Sequence, residues 1–287
     1  LGQLTYRGDF TGFISDFVSY GTLNTAIGDI RTDISLKEDT VLNDYRYAGS
    51  VQLKQFDLGR FYDLSSLGAV SCDFQIAGSG LELKKVDAQF DGNISEIHVN
   101  DYTYNSIQAQ GNFRHRAFMG EVNIDDPNLV MAFAGTVDFT QTLPLLAFDA
   151  DIQHANLDEL NVLTDYDYSA VSGEFHVRSE GLEFEKFVGE VIMKDFTYCA
   201  MNNDYALDNL RITASRTGTP VMTLVSDIAF AEIRGDYKLP QIPSALAEIA
   251  SRIFPSFQPP IRDHKDQKFT LQAQIYDVAQ ITEVFLP

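Results

Sequence analysis

Residues 129–139 read LVMAFAGTVDF, and this stretch decides the fold class. Apolar residues recur at every second position, so Met131, Phe133, Val137 and Phe139 share one face of the segment. Strict alternation of this kind is typical of a β-strand with one buried and one wetted face. The glycine in the middle starts a second pattern, in which a glycine and a small or polar neighbour are followed by an apolar residue.

That glycine pattern returns along the whole chain. It begins segments at 7–13, 48–53, 91–97, 110–115, 134–139, 172–177, 188–193 and 234–239. Other stretches alternate as clearly and place on one face the pairs Phe148 and Ile152, Phe175 and Val177, and Phe269 and Leu271. With turn sequences such as DDPN between them, these segments predict about sixteen to twenty short antiparallel strands.

Helix is scarce in this pattern. The best candidate is SALAEIASRI at 244–253, which has the apolar spacing of three and four residues that marks an amphipathic helix, and a shorter helical turn is expected at 156–163. We expect a repetitive β-sheet over 1–239, a short helix and Pro-rich loop over 240–268, and one or more returning strands over 269–287. Periodicity leaves two architectures open, a closed sandwich or barrel and an open, curled sheet whose apolar face lines a groove.

The charge of the chain excludes one class of partner. The net charge is −20, from 41 acidic and 21 basic residues, and the acids are scattered singly between apolar positions. Such a distribution is typical of the solvated face of a sheet. A nucleic-acid backbone would be repelled, and no stripe of Lys and Arg offsets the repulsion, so nucleic acid is not an expected partner.

No motif for catalysis, a metal or a cofactor stands out. The five histidines have no metal-ligand spacing, and DYDYSA at 165–170 lacks the glycine and glutamate of a calcium loop. Asp125 and Asp126 precede a proline and are interpreted as turn residues. Cys72 and Cys199 form no metal motif, and the sequence leaves open whether they pair or remain free thiols. We therefore expect no enzyme activity, metal or cofactor.

Four longer blocks carry a family resemblance. They lie at 6–36, at 56–94, at 118–139 (FMGEVNIDDPNLVMAFAGTVDF) and at 144–162 (PLLAFDADIQHANLDELNV). In their glycines, turns and order they resemble the periplasmic region of TamB-like proteins of the AsmA-like superfamily, particularly the versions found in the Bacteroidota. The resemblance covers roughly the first 160 residues.

This resemblance implies a fold and a function. The fold would be a long, curled antiparallel sheet forming an elongated, U-shaped groove with an apolar interior. The function would be phospholipid transport between the inner and outer membranes, or outer-membrane protein assembly with a TamA-like barrel partner, without a catalytic residue. The chain would be a periplasmic piece of a longer protein that is anchored in the inner membrane.

An acyl chain needs a dry, continuous path, which the apolar faces of successive strands would provide. The residues predicted to line it are Met131, Phe133, Val137, Phe139, Phe148, Ile152, Phe175, Val177, Phe269 and Leu271. Two alternatives remain at this point: a scaffold that offers a sheet edge to unfolded outer-membrane proteins, and a closed structural or adhesin-like sandwich.

Overall fold

The computed structural model describes residues 2–41, 43–82, 84–163, 168–181, 186–200, 203–238, 241–242 and 267–277. Sixteen strands form one antiparallel sheet in which the spatial order is the sequence order. They are β1 (Thr5–Phe13), β2 (Asp16–Thr25), β3 (Gly28–Asp39), β4 (Asp44–Asp57), β5 (Leu67–Ser79), β6 (Asp87–Val99), β7 (Tyr102–Arg114), β8 (Ala117–Asp126), β9 (Leu129–Asp138), β10 (Leu145–Asn156), β11 (Ser169–Glu180), β12 (Val188–Ala200), β13 (Asn203–Ser215), β14 (Val221–Ser226), β15 (Ala229–Asp236) and β16 (Lys268–Ile275).

The sheet is open and curled. Its first and last strands do not pair with each other, so it does not close into a barrel. Within the described ranges, extensive contacts join only neighbouring strands, and no second layer forms a sandwich. The predicted fold class, mostly β with one long antiparallel sheet, is confirmed, and the closed sandwich is not the architecture.

The described helix differs from the predicted one. α1 (Leu58–Tyr62) is a single turn between β4 and β5, with the Asp57 carboxylate accepting a hydrogen bond from the Arg60 N–H at its start. It contacts β5 at one end of the sheet. The predicted helix at 244–253 lies outside the described residues, as does most of 240–268. The predicted returning strand is β16, which pairs with β15.

Bulges keep the apolar side chains on one side of the sheet where the alternation is broken. Gln55 has a positive φ of 49°, and the register shifts between Leu53 and Phe56, so these two residues face the same way. A β-bulge adds one residue to a strand, so that two side chains three positions apart point to the same face of the sheet. Phe56 is thereby buried against Ile27 and Val70 in a small local core.

The open sheet has a measurable consequence in solution. Sixteen strands at about 4.8 Å each, and about 40 Å long, predict a radius of gyration of about 24 Å. A compact globule of this length would have about 19 Å. Small-angle X-ray scattering of the monomeric chain should give the larger value, and a value near 19 Å would contradict the open architecture.

Candidate functional site

One face of the sheet is apolar from the first strand to the last, and we call it the apolar face. It follows from the register, because directly opposed residues share a face. Phe148, for example, is opposite Val177 on one side and Gly135 on the other. Through all sixteen strands, the only charged residues that the register places on this face are Glu38 and Asp126, each at a strand end.

The structure brings the predicted lining residues to this face. Nine of the ten lie on it within strands: Met131, Phe133, Val137, Phe148, Ile152, Phe175, Val177, Phe269 and Leu271. Phe139 lies one residue beyond β9, where its N–H donates to the Arg116 carbonyl at 3.2 Å. Phe269 and Leu271 are on β16, far along the sheet from the others.

A line of aromatic rings crosses the apolar face from β5 to β10. We call it the phenylalanine ladder, and its members are Phe74, Phe90, Phe118, Phe133 and Phe148. Successive ring centroids are 5.9, 6.0, 6.0 and 5.1 Å apart. These spacings are typical of aromatic pairs in van der Waals contact.

One of these ring contacts joins two strands that are not neighbours in the sheet. Phe90 on β6 and Phe118 on β8 lie in contact although β7 separates their strands. A flat sheet would hold strands two apart at about 9.6 Å. The rings meet because β7 carries Gly111 opposite both Phe90 and Gly120 and has no side chain in the way.

Sequence reasoning missed Phe74, Phe90 and Phe118. A repeated motif could have predicted Phe90 and Phe118. The motif is Phe-x-Gly, and it occurs at 10–12, 90–92, 118–120, 133–135 and 187–189. A spacing of two in a strand places both residues on one face. The large ring and the missing side chain therefore alternate on the apolar face.

The opposite face is polar and contains shallow depressions. One depression, of about 700 Å³, is lined by Gln75, Gln89, Gln110, Asn112 and Glu121 among others. It is wide and open, and its lining also includes alanines and glycines such as Ala48, Ala77 and Gly120. Amides and the carboxylates of Asp91 and Glu121 can bind polar groups there, but the lining includes no nucleophile paired with a base.

The arrangement closest to catalytic chemistry also lies on the polar face. The Asp149 carboxylate is 2.8 Å from His176 Nδ1 and accepts a hydrogen bond from Arg178 Nη2 at 3.0 Å. The bonds from Arg178 and then His176 hold the pKa of Asp149 below its usual value. The far ring nitrogen of His176 faces Glu174 at 4.0 Å. Both ring nitrogens thus face carboxylates, and no hydroxyl or thiol is aligned for attack.

A buried polar cluster closes one end of β7 to β10. Asp126 is 1% exposed, and its carboxylate accepts bonds from the Tyr102 hydroxyl, the Asn105 N–H at 2.9 Å and the Asn128 N–H at 2.9 Å. Burial raises the pKa of Asp126, but these bonds outweigh it and leave the pKa below its usual value. Burial, followed by the bond to Asp126, raises the pKa of Tyr102 to about 12. The turn predicted at 125–128 is confirmed, because the Asn128 N–H bonds back to the Asp126 side chain.

Replacing Asp126 by asparagine should destabilise the chain by about 2 kcal/mol, because an amide cannot accept all the bonds that converge there. A carboxyl with a lowered folded-state pKa stabilises the fold above the ordinary value of 3.8, and this contribution is lost as the pH falls through the folded-state pKa. Urea unfolding at pH 7 and pH 3 measures both effects. The exposed neighbour Asp125 is the control, and equal effects of D125N and D126N would contradict the role of the cluster.

The remaining chemistry-bearing residues do not form a site. Cys72 and Cys199 are free thiols on β5 and β12, seven strands apart, so they do not form a disulfide. Burial raises the pKa of Cys72, and a bond with Asp204 and then burial raise that of Cys199, which is the opposite of thiol activation. In the part of the chain that the structure describes, no His, Cys, Asp and Glu cluster could hold a metal, and no helix is long and apolar enough to span a membrane.

The apolar face, with its phenylalanine ladder, is therefore the feature that most needs a partner. Its rings are half-buried, and in the described ranges no other element packs over them. Comparison with protein-family models, with curated proteins and with solved structures finds no match to this chain.

Proposed function

We propose that the apolar face binds phospholipid acyl chains and that the chain is a periplasmic bridge segment for phospholipid transport between the inner and outer membranes. One observation carries the proposal: the apolar face runs through sixteen strands without a charged residue away from the strand ends. This is the dry, continuous path that an acyl chain requires. The resemblance to TamB-like proteins supports the same function and adds a TamA-like barrel as an expected partner.

Two free energies explain why the apolar path must not be interrupted by a charge. An acyl chain gains about 0.8 kcal/mol for each CH₂ group that leaves water. Desolvating one unpaired carboxylate costs several kcal/mol, enough to cancel the gain of several CH₂ groups. In a chain with 41 acidic residues, confinement of the charges to the polar face and the strand ends preserves the path.

Lipid loading tests the proposal directly. The purified chain is incubated with vesicles of dioleoylphosphatidylglycerol, separated from them by gel filtration, and extracted for lipid analysis by mass spectrometry. We expect about one or more phospholipids per chain, because a face about 70 Å long exceeds the length of a single acyl chain. Recovery of no more lipid than with an ordinary soluble β-sandwich protein would refute the proposal.

A second function is favoured by the edge of the sheet. All nine residues of β1 are exposed, and β1 pairs only with β2 among the described strands. An unpaired edge can add an extended peptide as a further strand. The scaffold function predicts that a ten-residue alternating peptide binds and that its proline-substituted version does not. Binding of neither peptide would exclude this function.

A further inference from the structure

Large apolar side chains project into water from three successive turns of the sheet. Because consecutive strands run in opposite directions, the turns after β1, β3 and β5 lie on the same side. They carry Phe13, Ile14, Val41 and Leu81, which are 80, 88, 91 and 61% exposed, and we call these four residues the apolar tips. Among the described residues, the first three are the most exposed large apolar side chains of the chain. Exposed apolar groups that cluster in this way mark a surface that binds a partner.

Backbone hydrogen bonds hold the three turns in a line. The Glu38 N–H donates to the Ser15 carbonyl at 2.7 Å, and the Gly80 N–H donates to the Tyr45 carbonyl at 2.9 Å. Each turn is therefore tied to the next hairpin. Turns two strands apart are about 9.6 Å from each other, so the apolar tips extend over about 20 Å.

The charges beside the apolar tips are nearly balanced and mostly paired. The three turns, with the three nearest residues of each flanking strand, contain six acids and four bases: Asp16, Glu38, Asp39, Asp44, Glu82, Asp87, Lys37, Arg46, Lys84 and Lys85. Four of the acids form ion pairs, which are Asp16 with Lys37, Asp39 with Arg46, Glu82 with Lys85, and Asp87 with Arg114. In a chain with a net charge of −20, this part of the surface does not repel a membrane strongly.

The shape of the apolar tips fits a bilayer better than a folded protein. A protein partner would need a separate complementary pocket for each projecting turn. The hydrocarbon of a bilayer adapts to any projection. The polar backbone of a turn must stay hydrated, so only the side chains of the tips enter the bilayer.

The apolar tips also adjoin the apolar face. Phe17 lies three residues after Ile14, opposite Gly12, and its ring centroid is 4.7 Å from that of Phe10 on β1. Glu38, the charged residue of the apolar face at this end, lies on β3. An acyl chain that leaves the bilayer at the first turn therefore reaches the apolar face along β1 and β2 without passing a charge.

We propose that the apolar tips insert into the surface of a phospholipid bilayer and dock this side of the sheet on a membrane. The inference rests on the proposed function for its choice of partner. It adds the place at which the chain contacts the membrane, and it can be tested separately from lipid loading.

Tryptophan fluorescence tests the insertion at single positions. The chain contains no tryptophan, so I14W and V41W each report on one apolar tip. V162W is the control, because Val162 is also exposed but lies in the loop after β10, on the opposite side of the sheet. Each variant is mixed with vesicles of dioleoylphosphatidylcholine and with vesicles of the same lipid brominated on its acyl chains. We expect blue-shifted emission and quenching by the brominated lipid for I14W and V41W, and neither change for V162W.

Flotation with dioleoylphosphatidylcholine vesicles measures the docking of the whole chain. A tip variant carries I14S, V41S and L81S, and the matched control carries Y62S, L64S and V162S, which removes three exposed apolar side chains from the opposite side. Because each substitution removes apolar surface that the bilayer would bury, we expect the tip variant to float at least about tenfold less than the wild type. The control should float as the wild type does.

Four results would overturn the inference: a wild type that does not float, a tip variant that floats like the wild type, equal losses in both variants, and a blue shift at positions 14 and 41 without quenching. The last result would place the tips against protein instead of lipid. If the wild type floats through its tips but retains no lipid in the loading assay, membrane docking stands and the proposed function fails.

Discussion

Replacing Gly135 by alanine is expected to open the middle of the sheet at a cost of about 4 kcal/mol, the sum of backbone strain and overpacking. Gly135 has a φ of +153°, which side-chain-bearing residues rarely adopt. A Cβ atom there would lie 2.4 Å from the Ala147 carbonyl oxygen and 2.4 Å from the Phe148 Cα. Both neighbours are backbone atoms of β10, so neither can move without breaking the pairing that supports the phenylalanine ladder.

Hydrogen exchange measures this effect where it occurs. Each strand contacts mainly its two neighbours, so the loss should be confined to β8 to β10 and be seen as faster amide exchange there. Gly218 provides the control, because its φ of +76° is also strained but a Cβ atom there would meet no other atom within 4 Å. We expect G218A to cost about 1 kcal/mol. Similar exchange in β8 to β10 of both variants would contradict the close-approach argument.

Replacing Phe133 by aspartate is expected to reduce bound phospholipid at least about tenfold, because the carboxylate would have to be desolvated beside the acyl chains. Phe133 is the ladder member in contact with both Phe118 and Phe148. The charge would therefore interrupt the apolar path near its middle. The lipid-loading assay with phosphatidylglycerol vesicles measures the change.

Two variants separate this effect from a loss of folding. T136D introduces the same charge on the polar face of the same strand, at a position that the register places opposite the uncharged Ala147 and Met119. F133L keeps the position apolar with less volume. We expect both to bind lipid as the wild type does. Equal lipid loss in F133D and T136D would show that the two faces do not differ in function.

The alternation predicted the faces correctly because period two does not depend on which strands pair. Met131 and Phe133 share a face with Phe148 and Phe175 in the structure, as their spacing predicts. The contacts between side chains of different strands could not be predicted without knowing which strands pair. The contact between Phe90 and Phe118 depends on Gly111, which lies on a third strand.

The burial of Asp126 and the short helix α1 could not be predicted from a local sequence pattern. The turn at 125–128 was predicted, but the burial of Asp126 depends on Tyr102, 24 residues earlier in the chain. α1 is a single turn, too short for helical periodicity to mark.

The central claim is that phospholipid acyl chains lie on the apolar face. Site-specific photocrosslinking tests it most directly, with a benzophenone amino acid placed at position 133 or at position 134 and the chain illuminated in the presence of phosphatidylglycerol vesicles. We predict a covalent lipid adduct at 133 and none at 134, because adjacent residues of a strand point to opposite faces. Adducts of equal yield at both positions, or at neither, would contradict the claim.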